Sequence, residues 1–195
     1  MLSNIVLISA VQQGESERRF ESTTSFFSGA VKEKLVVTGN PVRPVFYEAS
    51  AEKGRQFVGY NPEINKKPIL LVMGGSLGAV QINSLVKENL SWLKENFFVV
   101  HQTGKQWAEE LLPLADENYH PFAFIYNEMP DVVACADVVF SRAGSNSLWE
   151  CAVSKKPLVL VPFSGSGTRG DQVENAAFFE KNGAAIGLGG KHSDG

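Results

Sequence analysis

From residue 68 onward, short apolar runs alternate with segments of helical periodicity, and this alternation restricts the chain to βαβ units wound into a parallel sheet. The runs Pro68 to Gly74, Phe97 to Gln102, Pro121 to Tyr126, Asp137 to Ser141 and Pro157 to Pro162 are rich in Val, Leu, Ile and Phe, with little polar alternation. That pattern predicts strands covered by helices on both faces. Between the first two, Ile82, Leu85, Val86, Asn89, Leu90 and Leu93 recur at i, i+3, i+4 spacing, which predicts one helix with a mostly apolar stripe. Further helices are expected around Lys105 to Leu112, Pro130 to Ala136, Asn146 to Val153 and Gln172 to Lys181. Right-handed crossovers through those between strands give an α/β fold, a Rossmann-like doubly wound parallel sheet.

The first forty residues read differently. Ile5 to Ser9 and Leu35 to Thr38 look like strands, Gln12 to Lys34 like a connector dominated by Ser, Thr, Glu and Gly, and Gly39-Asn40-Pro41 like a turn. At the far end Ala184 to Leu188 reads as a strand followed by Gly-Gly-Lys-His-Ser-Asp-Gly, so the expectation is a piece of a larger chain. A length of 195 residues accommodates one full domain, or one plus a stub, but not two complete lobes.

Composition narrows the partners. A net charge of −3 lacks the basic footprint that neutralises a row of phosphates, so nucleic acid is not expected as a main partner. Ile5 to Val11 is too short to span a bilayer and has no basic residues before it, which reads as a strand of a cytoplasmic protein. Cys135 and Cys151 form no C-x-x-C pair and are expected as buried free thiols, with neither disulfide nor zinc. His101, His120 and His192 sit in no motif with a carboxylate, and no Ser/His/Asp or Cys/His set can be assembled, so no catalytic residue is expected in this chain.

Four motifs remain that suit a ligand. In Gly74-Gly75-Ser76-Leu77-Gly78-Ala79 a buried strand empties into glycines before a helix, which makes either a phosphate cradle or a tight turn capped by Ser76. Ser141-Arg142-Ala143-Gly144-Ser145-Asn146-Ser147 repeats the pattern, and Glu150 follows in the first or second turn. Its carboxylate could accept two ribose hydroxyls or merely complement the helix dipole. Two cradles on one sheet rim suit a single diphosphate ligand across the topological switch point. Gln172 and Asn175, three apart after a Gly/Ser-rich loop, offer amides to sugar hydroxyls, and Arg43 follows a rigid turn where it suits a diphosphate. The spacing fits neither G-x-G-x-x-G nor a P-loop, and the strand ending His101-Gln102 lacks the acidic residue of an NAD site.

Together Thr38-Gly39-Asn40-Pro41-Val42-Arg43, Gly74-Gly75-Ser76-x-Gly78-Ala79, Ser141-Arg142-Ala143-Gly144 with Glu150, and Gln172-x-x-Asn175-Ala176 resemble the carboxy-terminal half of the MurG family of peptidoglycan glycosyltransferases. The resemblance runs from about Leu35 to Ile186 and implies one lobe of the inverting GT-B arrangement, a hexosyltransferase of cell-wall biogenesis that needs neither cofactor nor metal. It implies residues 1–38 as a remnant of the amino-terminal lobe and connector, and residues 39–195 as the lobe that binds UDP-N-acetylglucosamine, truncated at its carboxy end.

In that reading Arg43, Gly75 and Ser76 face the diphosphate with Ser145, Asn146 and Ser147, and Glu150 holds the ribose. The backbone of Tyr126 or Ile125 reads the uracil with Met129 nearby, and Gln172 and Asn175 address the sugar. Leu77, Asp171 and Tyr126 depart from the family's usual residues. The lipid-linked muramyl-pentapeptide acceptor, the catalytic base and the peripheral contact with the cytoplasmic face of the membrane would belong to the other lobe, so this chain alone is expected to be inactive. Two alternatives stay open: a natural subunit of a split UDP-sugar glycosyltransferase, and a non-catalytic nucleotide-binding module.

Overall fold

The computed structural model describes residues 6–8, 35–37, 40–74, 80–163 and 171–188. The chain divides into two compact units, residues 1–42 and 43–195. In the first, β1 (Val6–Ile8) pairs in parallel with β2 (Leu35–Val37). Both lie within runs expected to form strands.

The second unit holds the sheet. Its strands β3 (Ile69–Met73), β4 (Phe98–Gln102), β5 (Tyr119–Phe122), β6 (Val138–Ser141), β7 (Leu158–Leu160) and β8 (Ala185–Gly187) are all parallel, in the order β5-β4-β3-β6-β7-β8. The chain steps outward from β3 to β5 and then returns to the far side of β3, so the winding reverses between β3 and β6. All five residues of β3 and of β4 are buried, as expected for strands covered on both faces. The register sets Phe122, Gln102, Met73, Ser141, Leu160 and Gly187 in one row, which places the six carboxyl ends along one rim.

Among the described residues the helices are α1 (Ala51–Val58), α2 (Val80–Glu88), α3 (Leu90–Asn96), α4 (Lys105–Leu111), α5 (Met129–Cys135), α6 (Ser145–Val153) and α7 (Asp171–Lys181). Leu70, Val72, Val99, Tyr119 and Val161 pack under Ile82 and Val86 of α2, with Leu85, Leu90 and Leu93 closing over them. Each large aliphatic side chain buried there contributes roughly 1.5–3 kcal/mol. Among the described residues no helix is long and apolar enough to cross a membrane, and both cysteines are free and buried.

Three local expectations differ from the structure. The single helix read over Ile82 to Leu93 is two, divided at Asn89, whose backbone (φ −108°, ψ 12°) leaves helical geometry while its side-chain amide donates to the Leu85 carbonyl at 2.8 Å beside its own N–H. The strand read as Pro121 to Tyr126 runs instead from Tyr119 to Phe122. Proline is tolerated inside it because β5 is an outer strand, and the shift leaves 123–126 as a loop on the rim. Helix α1 carried too few periodic apolar residues to be read. Its ends are nevertheless marked: the Ser50 hydroxyl accepts the Lys53 N–H at 3.3 Å, and Gly59, at φ 75°, closes the helix in the left-handed region.

Helix α1 lies against α5 through Gly54. A Cβ built there would stand 2.0 Å from the Asp131 carbonyl oxygen, so only glycine permits the approach. The Asp131 carboxylate also accepts the Ser50 N–H at 2.7 Å, which joins the start of α1 to the same helix.

Beneath the rim, His101 is wholly enclosed. The Asn83 amide nitrogen donates to the Thr103 carbonyl at 2.8 Å, which turns Asn83 Oδ1 toward His101 Nε2 at 3.0 Å. Nε2 therefore carries the proton, and Nδ1 accepts from the Tyr119 hydroxyl at 2.9 Å. Burial pushes the imidazole down to about 4, so it is neutral at pH 7 and every polar atom of its ring is satisfied.

Candidate functional site

The switch point is where a doubly wound sheet offers a ligand crevice, and the rim beside it carries the polar residues. After β6 the chain turns through Arg142 to Gly144 into α6. Gly144, at the N-cap, has no side chain with which to cap the helix, so the first turn of α6 presents its N–H groups and positive dipole end at the rim. Ser147 is half-buried in that turn, and Glu150 stands on the second.

Arg43 reaches the same place from the opposite end of the sequence. It precedes a short 3-10 turn, Pro44–Phe46, and its guanidinium lies 4.8 Å from the centre of the Phe46 ring. Arg43 Nε donates to Glu150 Oε1 at 2.6 Å, a bond that raises the arginine's pKa. The arginine side chain is 59% exposed and the carboxylate 15%, so the carboxylate is the fixed partner and the arginine the one free to swing. As an exposed pair the bridge contributes at most about 1 kcal/mol.

These two residues line a cleft of about 270 Å³ with Ser147, Tyr126, Met129 and Gln102. Met129 is buried at the start of α5, while Tyr126 is exposed and packs on Phe124 at 4.5 Å between ring centres. Of the residues expected to bind a ligand, Arg43, Tyr126, Met129, Ser147 and Glu150 therefore converge, across 107 positions of sequence between Arg43 and Glu150.

Of the remaining expected residues, two open the helix beside the cleft and two make contacts of their own. Ser145 and Asn146 open α6 but do not line the cleft. Gln172 Oε1 accepts the Phe163 N–H at 3.0 Å, and the buried Asn175 donates to the Ala143 carbonyl at 3.0 Å, so both amides tie α7 to the ends of neighbouring strands. Gly75, Ser76, Leu77 and His192 lie outside the described residues, as does the side chain of Asp171.

Sequence reasoning missed two rim residues. Arg142 Nη1 donates to Gln81 Oε1 at 2.8 Å and to the Val161 carbonyl at 3.0 Å, joining α2 to the end of β7. Gln102 closes β4, and its Oε1 accepts the Ile125 N–H at 2.9 Å. The signal for Gln102 was its place, the last residue of a buried strand beside the switch point.

A parallel doubly wound sheet with a charged cleft at its switch point defines a Rossmann-like α/β lobe whose ligand crevice lies at the carboxyl rim. The glycosyltransferase family 28 C-terminal domain matches residues 69–194, and the chain belongs to that family. Among curated relatives, the UDP-N-acetylglucosamine--N-acetylmuramyl-(pentapeptide) pyrophosphoryl-undecaprenol N-acetylglucosamine transferase of Treponema denticola is 42% identical over 176 residues, 85% of this chain and 44% of the relative. A Bacillus cereus enzyme of the same name, numbered 2, is 44% identical over 154 residues, 79% of this chain and 43% of its own. The chain thus spans less than half the length of these relatives. Among solved structures, Acinetobacter baumannii MurG is 26% identical, with a TM-score of 0.56 over 80% of this chain and 44% of that one. The glycotransferase of kitacinnamycin shares the fold, with a TM-score of 0.59 over 80% and 37% of the two chains at 18% identity.

Proposed function

We propose that this chain is the donor-binding lobe of an inverting GT-B glycosyltransferase that transfers N-acetylglucosamine from UDP-N-acetylglucosamine to a lipid-linked muramyl-pentapeptide. The observation that carries the reading is the convergence of Arg43, Ser147, Glu150, Met129 and Tyr126 in one cleft beside the switch point. Relatives bearing that enzyme's name support the choice of donor.

In this reading Glu150 accepts the two ribose hydroxyls, and Arg43, displaced from the carboxylate, turns to the diphosphate, where the first turn of α6 adds its N–H groups. As the sugar leaves, negative charge builds on the departing UDP, and a guanidinium with a helix dipole lowers the cost of that charge. Met129 and the Ile125–Tyr126 backbone receive the uracil. Gly75 and Ser76 complete the phosphate contact, and Gln172 and Asn175 hold the end of α7 toward the sugar. The acceptor and the base that deprotonates it belong to the other lobe of the whole enzyme, which works at the cytoplasmic face of the membrane.

Calorimetric titration of this chain with UDP-N-acetylglucosamine and with NAD tests the reading. Saturable binding of the uridine nucleotide is expected. Preference for NAD, or no binding of UDP-N-acetylglucosamine, would refute it.

A further inference from the structure

Gln102 is 5% exposed, lines the cleft, and stands in register with Met73 at the carboxyl rim. Its orientation is fixed by chemistry. The Ile125 backbone N–H at 2.9 Å can be met only by an oxygen, so Oε1 faces the 123–126 loop and Nε2 carries the two remaining donors. Among the described residues Nε2 has no hydrogen-bond partner, and it is not among the fully enclosed atoms left without one. Nε2 therefore opens onto the cleft, where the acceptor of a ligand can replace water as its partner. The neighbouring surface is apolar and aromatic, formed by Met129, Ile125 and Phe124, which suits the flat face of a base.

We propose that Gln102 selects the nucleobase: Nε2 donates to a ring carbonyl at the position where uracil carries oxygen and cytosine carries an amine, while Oε1 holds the loop that receives the ring. The inference rests on the uridine-nucleotide reading of the cleft and deepens it. An amine at that position would set donor against donor and leave Nε2 unmet, so the site rejects cytosine for the same reason that a buried polar group rejects an analogue lacking its partner.

The test is titration calorimetry of this chain with UDP and with CDP. The unsubstituted protein is expected to favour UDP by about tenfold or more. In Gln102→Glu the carboxylate still accepts the Ile125 N–H but offers no donor to the base. At pH 8 this variant should lose about tenfold or more in UDP affinity and shift its preference toward CDP, whose amine can donate to it. At pH 5 partial protonation restores a donor, and the preference should return toward UDP, whereas a merely structural role would change the affinity for both nucleotides alike. Gln102→Met removes both functions, and its UDP-to-CDP ratio should fall to near one; that ratio decides the matter if Gln102→Glu does not fold. Equal affinity of the unsubstituted chain for UDP and CDP, or an unchanged ratio in the variants, overturns the assignment of Gln102 and leaves the nucleotide reading standing. If the chain binds neither nucleotide, both fall.

Discussion

Replacing Gly54 by alanine opposes two effects of known sign. Alanine in a helix interior is favoured over glycine by about 0.8–1.0 kcal/mol. Here the added Cβ would lie 2.0 Å from the Asp131 carbonyl oxygen and 2.6 Å from its carbon, whereas ordinary contact begins at 3.4 Å, so α1 and α5 must part by up to about 1.4 Å. Both obstructing atoms are backbone, and no side chain can rotate out of the way. Overpacking of this kind costs about 1–3 kcal/mol, with a rigid obstacle at the upper end. The net expectation is a loss of about 2 kcal/mol, which for a chain of this size lowers the melting temperature by about 4–8 °C. Because Met129 opens α5, affinity for UDP should weaken as well. Differential scanning calorimetry reads the first effect and titration calorimetry the second. A melting temperature unchanged or raised by Gly54→Ala would show that α1 and α5 do not meet at this residue.

Other perturbations bear on the cleft and the core. Glu150→Ala should weaken UDP-N-acetylglucosamine far more than inorganic pyrophosphate in competition titrations; equal loss of both would remove Glu150 from the ribose. Arg43→Ala should cost diphosphate nucleotides about 1–3 kcal/mol, as for a charge-assisted bond, and unchanged UDP affinity would take Arg43 out of the site. His101 has a folded pKa depressed to about 4, so it contributes stability that is complete above about pH 6.5 and is lost as pH falls toward 4. The loss amounts to about 3 kcal/mol across that window, and urea titrations should show this slope diminished in His101→Gln. Burial pushes the Cys135 and Cys151 thiols up to about 11 and about 12, so neither should react with a disulfide reagent at pH 8 until the protein is unfolded. Rapid labelling of the native chain would show that one of them is accessible.

The strands of the sheet were legible because burial on both faces leaves unbroken runs such as Ile69 to Met73, which no other element of that length explains. Helix α1 was not, since at eight residues it buries only Gly54 and Val58, too short a stripe to stand out from a loop. The site divided in the same way. Glu150 and Ser147 announced themselves by following a strand and a glycine, a local pattern with a local cause. That Arg43 meets Glu150, and that Gln172 and Asn175 spend their amides on the Phe163 and Ala143 backbone, follows from packing between distant segments. Spacing along the chain carries no record of which of two polar partners an amide chooses.

The proline inside β5 bears on how this chain behaves in concentrated solution. The Asn118 and Phe122 carbonyls accept from Val99 and Thr103, so alternate residues of that strand face β4, and Pro121 turns its nitrogen the other way. An incoming chain laid along this flank would find no hydrogen to accept at its centre. Polymerisation by strand addition is thereby blocked on that flank.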